Sequence, residues 1–460
     1  MKRACTLLAA AVLAGCAAPR QDPQQVLPPA PPAWRTSIDG QAPVVREWWN
    51  GFGDPVLSQL VAAALAGNLD VATAASRVRE ARAQEALARS QQFPSLDLAI
   101  PVSRARTSNA FGLPSTSTTA QPVFQAAYEV DLFGRIADQV EAARAGSAAG
   151  EAARDAAALS VAAATATGYI TLRSLDARLE ILQDTVKARR EALRVAHDRA
   201  LAGYTSDLEW RQAEAEYESA AQQVPQVRLA IERQEHALAL LTGSAPADVP
   251  RGLALDKLTP PPVPAGLPSE LLRRRPDIAQ AEWSLAAADA TLASARAQFL
   301  PSVRLTSTVG RLAVSAVPDP ITVWSVGASV LAPLFNAGRV EAQVETSEAR
   351  REQAALAYRR TVLAAFREVE DNLSVLARTR QQRERLEAQR TALVEARWHA
   401  ERRYQAGYSS YLEQLDAQRG VLAAELALAQ AASDELSALV ALSQSMGGGW
   451  TATTATSSAR

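Results

Sequence analysis

Two stretches of this chain nearly repeat one another, and nothing else in the sequence restricts its fold so severely. RALAGYTSDLEWRQAE runs from Arg199 to Glu214, and RYQAGYSSYLEQLDAQ from Arg403 to Gln418. At a constant offset, Arg199, Ala202, Gly203, Tyr204, Ser206, Leu208, Glu209 and Ala213 fall on Arg403, Ala406, Gly407, Tyr408, Ser410, Leu412, Glu413 and Ala417. Each stretch ends one very long helical pattern and begins another. Glycine suits the position just past a helix C-terminus, and Thr205-Ser206 or Ser409-Ser410 can cap the helix that follows. Each stretch is therefore the tip of a long antiparallel helical hairpin, and the chain is a duplication.

From Gly134 to about Arg199 the helical pattern is unbroken, which at the usual rise is roughly 100 Å. Leu172, Leu175, Leu179, Leu182, Val186 and Leu193 keep the three-four spacing of a coiled-coil seam. Between Ala142 and Ala166 alanine is almost the only apolar residue, so helices can approach closely there. The return helix, about Thr205 to Leu241, carries Pro225, which should kink it. This first hairpin covers residues 134–243. The second covers 338–446, with Phe366, Val369, Leu373 and Leu376 on the seam of its long helix and Gly447-Gly448-Gly449 at its end. Aromatic residues make up only 5% of the chain, and the Ala, Leu, Glu, Gln and Arg that dominate favour long helices.

Before each hairpin the period drops to two. Leu96, Leu98, Ile100 and Val102 alternate with Asp97, Ala99, Pro101 and Ser103. Phe124, Ala126, Tyr128, Val130 and Leu132 alternate with Gln125, Ala127, Glu129 and Asp131. In the second half Val303, Leu305 and Val309 oppose Arg304, Thr306 and Thr308, and Trp324, Val326, Ala328 and Val330 oppose Ser325, Gly327 and Ser329. Four strands are predicted, over about 95–106, 121–132, 302–312 and 321–334, each with one apolar face. Pro101 would lose a ladder hydrogen bond inside the first of them. A short helix starts at Asp54-Pro55 and a second runs from about Asp70 to Gln91. Further echoes tie the halves together: Asp70-Val71-Ala72 matches Asp277-Ile278-Ala279, Pro94-Ser95 matches Pro301-Ser302, and Leu132-Phe133-Gly134-Arg135 matches Leu334-Phe335 and Gly338-Arg339. The repeats are residues 48–245 and 269–449, joined by a Pro-rich linker at 246–268 and followed by a flexible tail at 450–460.

The N-terminus reads as an export signal over residues 1–15. Lys2 and Arg3 precede an apolar core, and Leu13-Ala14-Gly15-Cys16 follows. That tetrapeptide resembles a bacterial lipobox, which would leave Cys16 as an acylated N-terminus at the head of a Pro-rich tether, residues 16–47. Ala17, where aspartate would retain a lipoprotein at the inner membrane, points by the same resemblance to the outer membrane. With Cys5 in the removed peptide, one cysteine is left and no intramolecular disulfide. Removing Lys2 and Arg3 from 48 basic residues leaves 46 against 49 acidic, a net of about −3, so nucleic acid is not an expected partner.

Four amphipathic strands cannot close a barrel alone, and lipid tolerates no open strand edge. A dimer would close eight strands, whose interior is filled by side chains. Three chains supply twelve strands and the smallest plausible conduit. No apolar run beyond the N-terminus reaches the length of a membrane span, and the long helices, too polar for lipid, must project into the periplasm. The expected fold is mainly α with a β-barrel portion: duplicated helical hairpins forming a periplasmic α-barrel, and four strands per chain completing a twelve-stranded barrel in a homotrimer.

The chain resembles the TolC-like outer-membrane efflux channels, in the lipoprotein branch of drug-efflux and nodulation-type factors. The residues that carry this are Leu13-Ala14-Gly15-Cys16, Trp48-Trp49 through Phe52, Asp54-Pro55, Asn68-Leu69-Asp70 and Asp131-Leu132-Phe133-Gly134. Arg274-Arg275-Pro276-Asp277-Ile278, the two Gly-Tyr tips, Leu415-Asp416-Ala417-Gln418-Arg419 and Gly447 to Trp450 complete them. The resemblance implies a trimeric exit duct for drugs or other small molecules, fed by an inner-membrane transporter through a periplasmic adaptor (membrane fusion) protein. It implies no chemical change to the cargo and no cofactor beyond the lipid on Cys16. The aperture residues of this branch map onto Leu412 and Asp416, with Arg419 a partner. Spaced four apart on one helix, Leu412 and Asp416 share a face. Gly203, Tyr204, Ser206, Gly407, Tyr408 and Ser410 are expected to contact the adaptor. The first repeat has Gln212 where the second has Asp416, so this position supplies one acidic ring per trimer.

No catalytic constellation or metal site is expected. His197, His236 and His399 are scattered along helices, and no glycine-rich phosphate loop is present. Met446 is the single methionine left after the signal, which argues against a thioether relay for soft metals. The competing readings are a lipid-anchored periplasmic coiled coil without a pore, a type I protein-secretion duct and a metal-cation efflux duct.

Overall fold

The structure, a computed structural model, describes residues 29–36, 45–108, 112–263, 267–315 and 319–450. The signal peptide, Cys16 and residues 451–460 of the expected tail lie outside them. A 3-10 turn at Trp48–Phe52 precedes helices α1 (Pro55–Gly67) and α2 (Leu69–Ser90). Strands β1 (Ser95–Ala99), β2 (Val102–Ser108), β3 (Pro114–Ala120) and β4 (Val123–Val130) lead into helices α3 (Arg135–Leu201), α4 (Asp207–Ala221) and α5 (Gln223–Leu241). After a 3-10 turn at Leu255–Lys257 come α6 (Pro268–Arg274), α7 (Pro276–Ala297), β5 (Ser302–Val314), β6 (Ile321–Leu331), α8 (Arg339–Gln405) and α9 (Tyr411–Ser445). Helices α3 and α8 have 67 residues each. Among the described residues no single helix is long and apolar enough to cross a membrane.

The chain divides into two compact units that cut across the duplicated halves. One comprises residues 76–151 and 280–360 and holds the sheet. Strands β1 and β2 lie on one line of pairing with β4 and β3, from Ser95 opposite Ala127 to Ser108 opposite Pro114. Strand β5 pairs with β4 and β3 on its other side, and β6 pairs with β5. Every contact is antiparallel, so four passes of chain form a meander.

The first two passes differ from the predicted 95–106 and 121–132. Both are longer, and both are interrupted at the same level. Pro101 stands opposite Gln121 and Pro122 opposite Ile100, one position apart, and neither proline can donate to the ladder; the Gln121 N–H donates to the Pro101 carbonyl at 3.0 Å across the gap. The Ser/Thr-rich segment between the two predicted strands contains β3. Its alternation is of hydroxyls and not of apolar side chains, yet threonine suits a pleated surface, and Ser103 and Thr119 hydroxyls meet at 2.8 Å across the pair. Strand β6 stops at Leu331, short of the predicted 334, with Pro333 two residues beyond.

The register places Leu96, Leu98, Phe124, Tyr128, Leu305, Val309, Trp324 and Val326 on one face. Most of these are more than half exposed within the single chain. Asp97, Gln125, Glu129, Arg304, Thr306 and Thr308 lie on the other face. The outer edges of the sheet, β1–β2 on one side and β6 on the other, have no partner strand among the described residues. Below the sheet in the same unit, the alanine-rich start of α3 packs tightly: a Cβ at Gly150 would stand 3.7 Å from that of Ala81.

The second unit comprises residues 28–75, 152–279 and the chain from 361 on. Leu172, Leu182, Val227, Ile231, Leu238 and Val249 form one of its cores, with Leu175 and Leu179 packed against it. The linker after α5 is built into this unit. Buried Asp54 caps α1 through the Val56 N–H at 2.8 Å, accepts from Tyr169 at 2.8 Å and from the Leu253 N–H at 2.9 Å. Burial, and then this bond to Asp54, push the Tyr169 hydroxyl up to about 12. The return helix expected to kink at Pro225 is broken at Gln222, because the proline ring clashes one turn back and leaves a carbonyl without its N–H. Pro276 opens α7. Its neighbour Arg275 is buried, and its guanidinium donates to Asp277 at 2.6 Å, to Glu368 at 2.8 Å and to the Ser445 carbonyl at 3.1 Å.

Part of the predicted tether is docked. Trp34 meets the Phe366 ring edge-on at 6.4 Å, the Arg35 N–H donates to Glu370 at 2.6 Å, and the Thr36 and Ser374 hydroxyls meet at 3.1 Å. These partners are four residues apart along one face of α8. Trp450, expected in the flexible tail, is likewise held, its indole N–H donating to Asp155 at 2.8 Å.

Candidate functional site

The two tips close in the same way. Gly203 and Gly407 have φ of +74° and +77°, a conformation that glycine adopts without steric cost. The Tyr204 N–H reaches back to the Arg199 carbonyl at 2.9 Å and the Tyr408 N–H to that of Arg403 at 2.8 Å, the six-to-one bond of a Schellman motif. Tyr204 is 86% and Tyr408 80% exposed, so neither is held by its own chain. Ser206 and Ser410 occupy the N-cap positions with extended backbone, but neither side chain makes the expected cap bond. Thr205 bonds Glu209 instead.

Just behind the tips the two hairpins pack together. Ala196, Ala213, Tyr411 and Leu415 form a buried cluster joined by Leu193 and Tyr404. Tyr404 donates to Glu209 at 3.2 Å, lies 5.7 Å from the Arg199 guanidinium and meets the Tyr411 ring at 5.7 Å. Burial raises the proton affinity of both hydroxyls, reinforced by the Glu209 carboxylate at Tyr404 and by Glu216 at Tyr411. Glu216, 8% exposed, is the charged centre of the joint. It accepts from buried Arg189 on α3 and from Arg419 on α9.

Leu412 and Asp416 are exposed side by side on α9, while Tyr411 and Leu415 take its buried side. Arg419, read from the resemblance as a partner of the aperture, extends to Glu216, with Nε at 3.0 Å from Oε1. That bond, followed by the charges of Glu216 and Asp416, raises its proton affinity. Arg419 therefore ties the second hairpin to the first.

Tyr404, Tyr411, Glu216 and Arg189 escaped the sequence reading, and the reason lies in the duplication. Their counterparts are Ala200, Asp207, Gly420 and Leu393. Where the first hairpin has the Arg189–Glu216 pair, the second brings Leu393 to 3.1 Å from the place a Cβ on Gly420 would take. All four positions differ between the repeats. A search for similarity passes over them, although the divergences themselves were a usable signal.

Among the described residues no group of three or more His, Cys, Asp or Glu side chains could hold a metal ion. The site is a helical joint with an exposed leucine–aspartate face.

The profile described as outer membrane efflux protein matches residues 60–244 and 267–448. The probable efflux pump outer membrane protein TtgC of Pseudomonas putida is 33% identical over 442 residues, covering 92% of this chain and 89% of that protein. The probable outer membrane lipoprotein SilC of Salmonella typhimurium is 30% identical, covering 95% of this chain and 97% of that one. The open-state structure of the Neisseria gonorrhoeae MtrE outer membrane channel superposes with a TM-score of 0.84 at 31% identity, over 94% of this chain and 98% of that one. With the match extending through both repeats, the chain belongs to the outer membrane efflux protein family.

Proposed function

We propose that three copies of this chain form the outer-membrane exit duct of a tripartite efflux system, passing small molecules outward without changing them. The observation that carries this reading is the sheet: four passes, both edges open, one face apolar and exposed, the other polar. In lipid each open edge must find a strand, and twelve strands are the first multiple beyond a filled eight-stranded barrel. The hairpins, polar along most of their length, belong to the periplasm. Their tips, with unheld Tyr204 and Tyr408 beside Gly203, Gly407, Ser206 and Ser410, are the surface an adaptor protein would grip, and the adaptor links the duct to an inner-membrane transporter. Acylation of Cys16 adds a second hold on the outer membrane.

The aperture is formed by Leu412 and Asp416, facing inward from each copy. Three carboxylates gathered on the axis repel one another and attract cations, while three leucines close the passage. The Tyr404–Glu209 and Arg419–Glu216 contacts hold the second hairpin against the first, so splaying the tips requires these bonds to break. Native mass measurement in detergent, circular dichroism and single-channel recording test the reading together. A β-containing trimer that conducts ions is the expected result, and a stable single-chain particle without conductance overturns it.

A further inference from the structure

The register of the sheet sorts its charged residues by face. The pairings of β1 with β4 and of β2 with β3 keep one offset, as do those of β4 and β3 with β5, so the pleat runs through the gap at Pro101 and Pro122 without a slip. Val102 faces Ala120, Arg104 faces Thr118 and Arg106 faces Thr116. Ala120 in turn faces Ala313, which alternates in step with Leu305 and Val309. Val102, Arg104 and Arg106 therefore continue the apolar face begun by Leu96 and Leu98, and Arg311 lies on it as well. The acidic strand residues take the other face, Asp97 opposite Gln125 and Glu129 opposite Arg304. Every charge that the described strands carry on the apolar face is an arginine. All three are exposed.

Their height on that face is equally ordered. The chain enters and leaves the sheet through helices at the end marked by Ser95, Val130, Ser302 and Leu331, and the turns from β2 to β3 and from β5 to β6 lie at the other end. With the helices in the periplasm, the turn end is toward the exterior. Along β5 the face runs from Val303 to Ala313, which is about 33 Å of strand and, at the usual tilt, about 25 Å of height, the depth of the apolar band on a lipid-facing barrel. Arg104 and Arg106 stand one and two steps beyond Val102, at the top of this span, and Arg311 one step below Ala313. We infer that these three arginines hold the phosphate groups of an outer-leaflet lipid, an inference that rests on the outer-membrane assembly proposed above and adds a ligand to its outer rim. A guanidinium presents paired N–H donors that match phosphate oxygens. Arg104 and Arg106 are about 7 Å apart along one strand, with the hydroxyls of Thr118 and Thr116 beside them as further donors. Arg311 can lay its apolar stem along the band while its head reaches the headgroups. A rim that met only water has no reason to exclude acids, whereas a single sign on the lipid-facing side suits an anionic surface.

Native mass spectrometry of the purified trimer, titrated in mild detergent with lipid A, the phosphorylated glycolipid of that leaflet, tests the site. The parent is expected to bind lipid A at least about tenfold more tightly than the same lipid stripped of its phosphates. Arg104→Gln/Arg106→Gln/Arg311→Gln should lose at least about tenfold in affinity for lipid A, and Arg304→Gln, the same change on the opposite face, should bind as the parent does. Inorganic phosphate in excess should leave the lipid bound; if it displaces the lipid, the arginines serve a free anion and the proposal falls. The mass of each variant's trimer is read in the same spectra, and should the triple variant not assemble, the phosphate-stripped lipid still decides on the parental protein. Equal binding of the two lipids by the parent, or of lipid A by parent and assembled triple variant, overturns the site and leaves the trimer standing. The absence of any parental trimer overturns the assembly itself and the site with it.

Discussion

Asp416 and Leu412 stand exposed because Tyr411 and Leu415, on the same turns of α9, take the buried side against the first hairpin. Asp416→Ala is expected to lower cation selectivity and block by multivalent cations, and Leu412→Ala to raise the resting conductance. Single-channel recordings in planar bilayers check both, and parental behaviour in both variants would place the gate elsewhere. Glu216 tests the joint from inside. Its removal by Glu216→Ala leaves Arg189 buried without its carboxylate, which costs about 3–5 kcal/mol for a buried pair broken on one side. Arg419→Ala removes a guanidinium that is 53% exposed, and the loss should stay within about 1 kcal/mol. Chemical denaturation of the two variants separates these expectations. At this scale the sequence supplied Leu412 and Asp416 only through family resemblance, and the bonding of Glu216 was hidden because no repeat partner shares it.

Elements were far more legible, for a physical reason. A 67-residue helix with a leucine seam repeats its signal many times over, so its ends were read to within two residues. Strand ends carry no such redundancy. Hydroxyl residues of β3 alternate without changing hydropathy, and Pro101 and Pro122 interrupt hydrogen bonding while leaving the register intact. The tips belong to this scale as well. Gly407→Val places a β-branched residue at φ +77°, where even an unbranched side chain costs about 1–2 kcal/mol. The variant should keep its trimer, lose adaptor cross-linking and lose efflux, and Gly407→Asn, tolerant of that backbone, should recover most of both. Undiminished cross-linking in the valine variant would remove the tips from the docking surface.

For the whole molecule, the proposed assembly closes the open sheet edges with neighbouring copies, so the proposed lipid on Cys16 would be an auxiliary attachment. Cys16→Ser is expected to remove the acyl mass and leave the trimer in the membrane, as intact-mass measurement and membrane fractionation would report. The mainly helical class with an antiparallel sheet was legible because duplication, strand pattern and helix length agree; the second unit's built-in linker was not, since prolines advertise an absence of regular structure and conceal packing. The docked segment at Trp34 has one further effect. From Cys16 to Trp34 is 18 residues, which spans at most about 60 Å, whereas a chain free as far as Trp48 would allow about 110 Å. Held by Phe366, Glu370 and Ser374, the segment shortens the leash, and an acyl chain on Cys16 can enter lipid only within the smaller radius around that point of α8.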